Sequence, residues 1–293
     1  MDALGCTLVP ASCVLCGSPL PHLSSVPICR VCWTEFPVHS GPLCARCGDT
    51  LDAPVLAGPS SSGLCRVCRM APPPFERAVA YGPYRDVMRA AIHALKYDQL
   101  EPVARGLSRM LAQAIAQLAD EAPAEMLVVP VPLHRSKYSE RGFNQARLLA
   151  VHAIAALRKT HPKWRLKLAS TTLMRLRATE SQAGLTSRQR RLNVRGAFTV
   201  SDPAEVVLKH ILVIDDIFTT GSTARATGKA LIDAGAASVW VATLARAGRI
   251  HDSRRIVSSR FDDVEENSAL TGNAPAANLQ GAFELSSQDQ SSF

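Results

Sequence analysis

From about residue 87 onward the apolar positions repeat with two different periods. Val87, Met88, Ala91, Ile92 and Leu95 recur at helical spacing, and so do Val103, Leu107, Met110, Leu111, Ala114, Ile115 and Leu118. Between such stretches stand the short apolar runs Met126 to Val131 and Ile211 to Ile214, which predict buried strands, and Ser238 to Leu244 reads as a third strand. Asn144 to Arg158 and Ser222 to Ala234 predict two more helices, the second ending at Gly235. Strands alternating with helices predict an α/β fold built on a mostly parallel sheet flanked by helices. In such sheets ligands sit beyond the carboxyl ends of the strands.

The first 75 residues lack this periodicity and are rich in Pro, Gly and Ser, as at Pro19, Pro21, Pro59, Ser60, Ser61, Ser62 and Gly63. Ala71-Pro72-Pro73-Pro74 reads as a linker, which divides the chain into residues 1–75, 76–250 and 251–293. The last segment is acidic, polar and aperiodic, the composition of a disordered tail. The whole chain has 293 residues, 47% of them hydrophobic and 5% aromatic, ample for one well-buried core. Its longest apolar run, Met126 to Leu133, is far short of the roughly 20 residues a spanning helix needs, which argues against membrane insertion. The start Met1-Asp2-Ala3-Leu4-Gly5-Cys6 has no basic stretch leading into an apolar one, so a cytoplasmic protein is expected.

Reduced thiols in that compartment favour metal binding over disulfides. Eight of the nine cysteines form four C-x-x-C pairs, Cys13/Cys16, Cys29/Cys32, Cys44/Cys47 and Cys65/Cys68. Each pair can present two thiolates from one knuckle, and two knuckles complete a tetrahedral zinc site. The pattern predicts a double zinc ribbon with two structural Zn2+ ions, because no open ligand position for catalysis is indicated. Sequential and interleaved pairing of the knuckles both satisfy the spacing. A redox role for the pairs is the rival, but no thioredoxin-like strand pattern surrounds them. His22 and His39 lie nearby and read as surface histidines, and Cys6 has no partner.

Charge is unevenly placed. The formal net charge of +8 divides into 0, +12 and −4 over the three segments. Arg135 to Arg195 hold 15 basic residues against Glu140 and Glu180 alone. Such a surplus suits a polyanionic partner, a phosphorylated substrate or a nucleic acid, or else a solvated basic face.

The most specific stretch is Ile211-Leu212-Val213-Ile214-Asp215-Asp216-Ile217-Phe218-Thr219-Thr220-Gly221-Ser222-Thr223. Four apolar residues bury a strand, two carboxylates follow, and a hydroxyl-rich turn opens the next helix. Backbone N–H groups at that helix start, with the hydroxyls of Thr219, Thr220, Ser222 and Thr223, suit a phosphate monoester. Gly221 allows close backbone approach. Asp215 and Asp216 could accept hydrogen bonds from vicinal ribose hydroxyls or stabilise positive charge developing on a sugar ring. A Walker B element would look similar, but no G-x-x-x-x-G-K-[ST] stretch is present.

These 13 residues resemble the phosphoribosyl-pyrophosphate (PRPP) loop of type I phosphoribosyltransferases. Val129 to His134, Glu140 to Ala146, Leu95-Lys96-Tyr97, and Arg188 to Phe198 with its Asn193 narrow the match. Together with the cysteine pairs they resemble the ComF family (ComFC/GntX-like), a zinc ribbon joined to a type I phosphoribosyltransferase-like domain. The resemblance implies that Asp215 and Asp216 bind the ribose and Thr219 to Thr223 the 5-phosphate. It places His134, Arg135 and Arg141 near the pyrophosphate, with Mg2+ bridging pyrophosphate and ribose oxygens. Lys96 reads as a helix-end cation rather than a phosphate contact, and Phe143 as core. Arg175 to Arg195 would be the loop that closes over PRPP. The implied reaction displaces pyrophosphate from C1 of PRPP by a nitrogen nucleophile, with no residue identifying the acceptor. The family is also associated with natural competence, so single-stranded DNA and the competence machinery are expected partners. A non-catalytic DNA-handling accessory and a metabolic transferase unrelated to DNA are the alternatives.

Overall fold

The computed structural model describes residues 12–21, 26–51, 63–97, 101–177, 189, 192 and 194–248. Cys6, His22, Asn193, the centre of the expected closing loop (178–188) and the acidic tail (251–293) lie outside the described residues. The described elements run in chain order as helix α1 (Arg30–Thr34), helix α2 (Arg66–Met70), strand β1 (Ala78–Pro83), helices α3 (Asp86–Tyr97) and α4 (Glu101–Ala116), and strand β2 (Glu125–Pro130). Helices α5 (Arg135–Arg141) and α6 (Gln145–Thr160) follow, then strands β3 (Arg165–Leu168), β4 (Leu173–Arg175), β5 (Phe198–Val200) and β6 (His210–Phe218), helix α7 (Ser222–Asp233) and strand β7 (Ser238–Arg246).

Five strands make one sheet in the order β1-β7-β6-β2-β3, and every pair in it is parallel. The α/β class expected from the alternating periods is therefore the fold. Strands β6 and β7 lie between covered faces, which is why they read as continuous apolar runs rather than alternating ones. Successive residues of β6 point to opposite faces. Leu212 and Ile214 join a core with Met88, Leu107, Leu111, Leu149 and Leu157 from α3, α4 and α6, whereas Ile211 and Val213 join Leu231 of α7 and Val239 and Val241 of β7. All four β6 residues are fully buried, each stabilising the fold by about 1.5–3 kcal/mol.

Two edge strands are not legible from the pattern. The β1 sequence Ala78-Val79-Ala80-Tyr81-Gly82-Pro83 ends in two poor strand formers, tolerated because β1 is the outermost strand. At the other edge β3 is only four residues long, too short to establish a period. Strands β4 and β5 form a separate antiparallel pair. They flank the stretch expected to close over the ligand, and Arg177 Nη2 donates to the Arg195 carbonyl at 2.6 Å across its base.

Segments 12–51 and 63–75 pack against the sheet and its helices, and the described residues to 248 gather into one compact unit. Three glycines make the close approaches possible. A Cβ on Gly82 would stand 1.8 Å from the Pro37 carbonyl oxygen, one on Gly106 2.0 Å from the Trp33 ring, and one on Gly228 2.9 Å from the Pro74 carbonyl oxygen. The Pro-rich stretch is thus pressed onto α7, where Arg225 also donates to the Ala71 and Pro72 carbonyls at 2.7 and 3.3 Å.

Candidate functional site: two cysteine clusters and an acidic loop

The knuckles pair sequentially. Cys13, Cys16, Cys29 and Cys32 form one group and Cys44, Cys47, Cys65 and Cys68 another, with the sulfurs of each group within 4.8 Å of one another. The two are built alike. Gly17 N–H donates to the Cys13 carbonyl at 2.8 Å and Gly48 N–H to the Cys44 carbonyl at 2.9 Å, each glycine at positive φ. Cys29 and Cys65 then cap the short helices α1 and α2. The Cys29 N–H points to Cys13 Sγ at 3.3 Å and the Cys65 N–H to Cys44 Sγ at 3.2 Å, bonds that suit thiolates. In the second group hydrogen bonding to Cys47 holds the Cys44 thiol well below its usual range, while bonding to Cys44 pushes Cys68 well above it. Four sulfurs this close cannot all be anions without a cation among them, and a tetrahedral set of four sulfur donors is what Zn2+ takes. Both four-cysteine clusters fit a double zinc ribbon.

His39, expected at the surface, is a correction. It is half-buried with Nε2 shut away from hydrogen-bonding partners. Burial and then the charge of Arg246 lower its pKa, with Asp49 opposing. It is no part of either sulfur cluster.

The acidic pair lies inside β6, because the strand runs four residues past Ile214, paired with β7 out to Phe218 opposite Arg246. Both aspartates are half-buried. Asp216 N–H donates to Asp215 Oδ1 at 2.9 Å, and Lys96 Nζ stands 2.6 Å from Asp216 Oδ2. Lys96 does occupy the last turn of α3, but its partner is the acidic pair, a role the helix-end reading misses. Burial first, then the neighbouring Asp216 charge, push the Asp215 carboxyl up to about 7, against the pull of the Asp216 N–H, Lys96 and Arg175. Burial works against the Lys96 ammonium, yet Asp216 and Asp215 outweigh it and raise its pKa. Arg175, from β4, has its pKa lowered by burial with Asp215 opposing, and its guanidinium lies 5.4 Å from the Phe198 ring centroid.

After β6 the chain turns through Thr219 and Thr220 to Gly221, whose φ of 76° is left-handed and which offers α7 no side-chain cap; the Ser222 N–H instead donates to Thr220 Oγ1 at 3.4 Å. Thr220 Oγ1 and Ser222 Oγ are 2.7 Å apart. A small cavity at this turn is lined by Asp215, Thr219, Gly221, Ser222, Thr223 and Thr243 among others. Arg135 is exposed at the start of α5, just past the carboxyl end of β2, and Arg141 ends that helix, donating to Gln145 Oε1 at 3.3 Å. Asn144 caps α6 by accepting from Arg147 N–H and donates to the Val131 carbonyl, which ties the turn after β2 to the strand end. Phe143 packs against the core as expected.

Arg246 is a site residue that the sequence reading does not single out. It is 2% exposed at the end of β7 and bonds to Asp49, to the β6 strand end and to Cys47. The available signal is a single charged residue closing a nine-residue strand whose other positions are nearly all buried and apolar.

These features define a zinc-ribbon protein joined to a parallel α/β sheet with an acidic, hydroxyl-rich turn at its carboxyl edge. Residues 6–69 match the family model of the double zinc ribbon domain. The chain is similar to the DNA utilization protein YhgH of Salmonella typhi, 33% identical over 81% of this chain and 98% of that one. It also resembles Competence protein F of Haemophilus influenzae, 27% identical over 80% of this chain and 96% of that one. Competence protein ComFC of Bacillus subtilis is 25% identical over 75% and 84%. The chain belongs to the ComF family. No helix among the described residues is long and apolar enough to cross a membrane.

Proposed function

We propose that this ComF-family protein binds PRPP at the β6–α7 turn and serves DNA utilisation and competence, as the names of its relatives suggest for them. One observation carries the reading. The half-buried acidic pair lies on one strand that runs straight into a helix start through a left-handed glycine, which offers no side-chain cap, and a row of hydroxyls. Asp215 and Asp216 would accept from the ribose hydroxyls, Thr219 to Thr223 would bind the 5-phosphate, and Arg135 and Arg141 would face the pyrophosphate. Lys96 Nζ, 2.6 Å from Asp216 Oδ2, would hold the second carboxylate in place. Mg2+ would enter with the pyrophosphate and supply charge neutralisation. If transfer follows, a nitrogen nucleophile displaces pyrophosphate from C1, and the acidic pair stabilises the charge developing on the ring.

A second reading has its own observation. A broad groove runs along the open β3 edge, lined by Arg158, Arg165, Lys167, Lys209 and His210 with Glu125 and Glu205. Its basic excess supports a non-catalytic role in handling single-stranded DNA.

Calorimetry with Mg2+ and PRPP tests the first reading. Wild type should bind, and Asp215→Asn combined with Asp216→Asn should lose about 100-fold or more in affinity, since two charge-assisted bonds are removed. Unchanged binding in the double variant would remove the ribose assignment. Pyrophosphate release with a panel of bases, beside single-stranded DNA affinity measured against salt, separates transferase from accessory.

A further inference from the structure

We propose that Arg246 is a positioning residue that makes the second cysteine cluster part of the β6–α7 turn, so that metal held by Cys44, Cys47, Cys65 and Cys68 fixes the geometry of Phe218 to Thr223. For its functional meaning this rests on the reading of that turn as the phosphate loop.

One buried side chain touches both places. Arg246 Nη1 donates to the Thr219 carbonyl at 2.9 Å and to the Phe218 carbonyl at 3.4 Å. Its Nη2 lies 3.3 Å from Asp49 Oδ2 and 3.7 Å from Cys47 Sγ. The guanidinium also stacks over the Phe218 ring, 4.3 Å from its centroid. Asp49 is itself built into the knuckle, since its carbonyl accepts from the Cys44 N–H at 2.7 Å. Asp49 and Arg246 are both almost wholly buried, so neither charge can be satisfied by water.

The turn has little room to move independently of that guanidinium. A Cβ on Gly221 would sit 2.7 Å from the Phe218 ring, so ring and glycine backbone are in close contact. Phe75 packs edge-on against the same ring at 6.1 Å. Shifting Arg246 therefore shifts the ring, two carbonyls and the start of α7 together. The electrostatics run the same way. A guanidinium cannot shed its charge, and a site of four thiolates around a divalent cation carries a net negative charge that a nearby donor stabilises. An empty, dispersed cluster would leave Arg246 with Asp49 alone on that side.

Hydrogen exchange on the full-length protein tests this without any ligand. The variants are Cys65→Ser for the second cluster, Cys16→Ser for the first, Arg246→Met and Arg246→Lys, with zinc content measured for each. Beyond any uniform change seen in the amides of β2 and α6, amides of 217–224 should exchange about tenfold faster in Cys65→Ser and in Arg246→Met. Cys16→Ser should leave 217–224 within about twofold of wild type. Arg246→Lys keeps the charge without the planar fork and should fall between; it takes the place of Arg246→Met if that variant fails to fold. Wild-type protection of 217–224 in Cys65→Ser, or equal loosening by both cysteine variants, would overturn the proposal. PRPP calorimetry on the wild type is decided separately. A turn that loosens with second-cluster loss in a protein that ignores PRPP keeps this inference and sinks the pocket reading, and the reverse result does the opposite.

Discussion

Asp215 shows how one residue's surroundings set its chemistry. Its carboxyl is raised to about 7 by burial and by Asp216, while Lys96 and Arg175 oppose. In the unfolded chain it titrates near the ordinary carboxylate value, so the folded protein holds this proton more tightly. The sign follows: the contribution to stability is greatest below the ordinary value and declines as pH rises through about 7. Thermal melts of ligand-free protein between pH 5.5 and 8 should show stability falling with a slope of up to about 1.4 kcal/mol per pH unit. Asp215→Asn should flatten that slope; an unchanged slope would assign it to other groups. The sequence marks Asp215 and Asp216 by their place after an apolar run. Lys96 cannot be marked that way, because it lies well over 100 positions upstream and meets Asp216 only through the packing of α3 on the sheet.

At the scale of elements, the helices and central strands are readable because each buries a whole face or both faces, which imposes a period on its sequence. The β6 strand is longer than its apolar run: Asp215 and Asp216 break the run, but β7 supplies a partner through Phe218 and the ladder continues. Edge strand β1 escapes although it is mostly buried, because Ala, Gly and Pro fill four of its six positions, and β3 escapes because it has only four residues. Gly82 in β1 exposes a constraint of its own. Its missing side chain is what lets the Pro37 backbone cross the strand. Gly82→Ala should therefore cost about 2–3 kcal/mol in chemical denaturation, as overpacking against backbone does. Gly17→Ala, with open space around it but a φ of 73°, should cost less, about 1 kcal/mol, through its conformation alone.

For the whole molecule, the cysteine region and the sheet share cores. Cys13, Leu15, Leu20 and Cys32 pack in the cluster of α3, α4 and α6, and Cys44, Cys47, Cys65 and Cys68 in that of α7. Metal removal should then be felt beyond the ribbons. Metal analysis should return about two zincs per chain, and a strong chelator should lower the melting temperature of the α/β region too, in one cooperative transition. Two separate transitions, with the sheet unaffected, would show the ribbons folding on their own. The sequence by itself determined the eight ligands, the parallel α/β class and the acidic turn, because each follows from local spacing or from the burial period of one element. Only the tertiary structure decided which knuckles pair, that Lys96 reaches Asp216, and that Arg246 joins a sulfur cluster to the turn. Those contacts are between segments remote in the chain, and no local period records where a long cationic side chain finds its buried counter-charge.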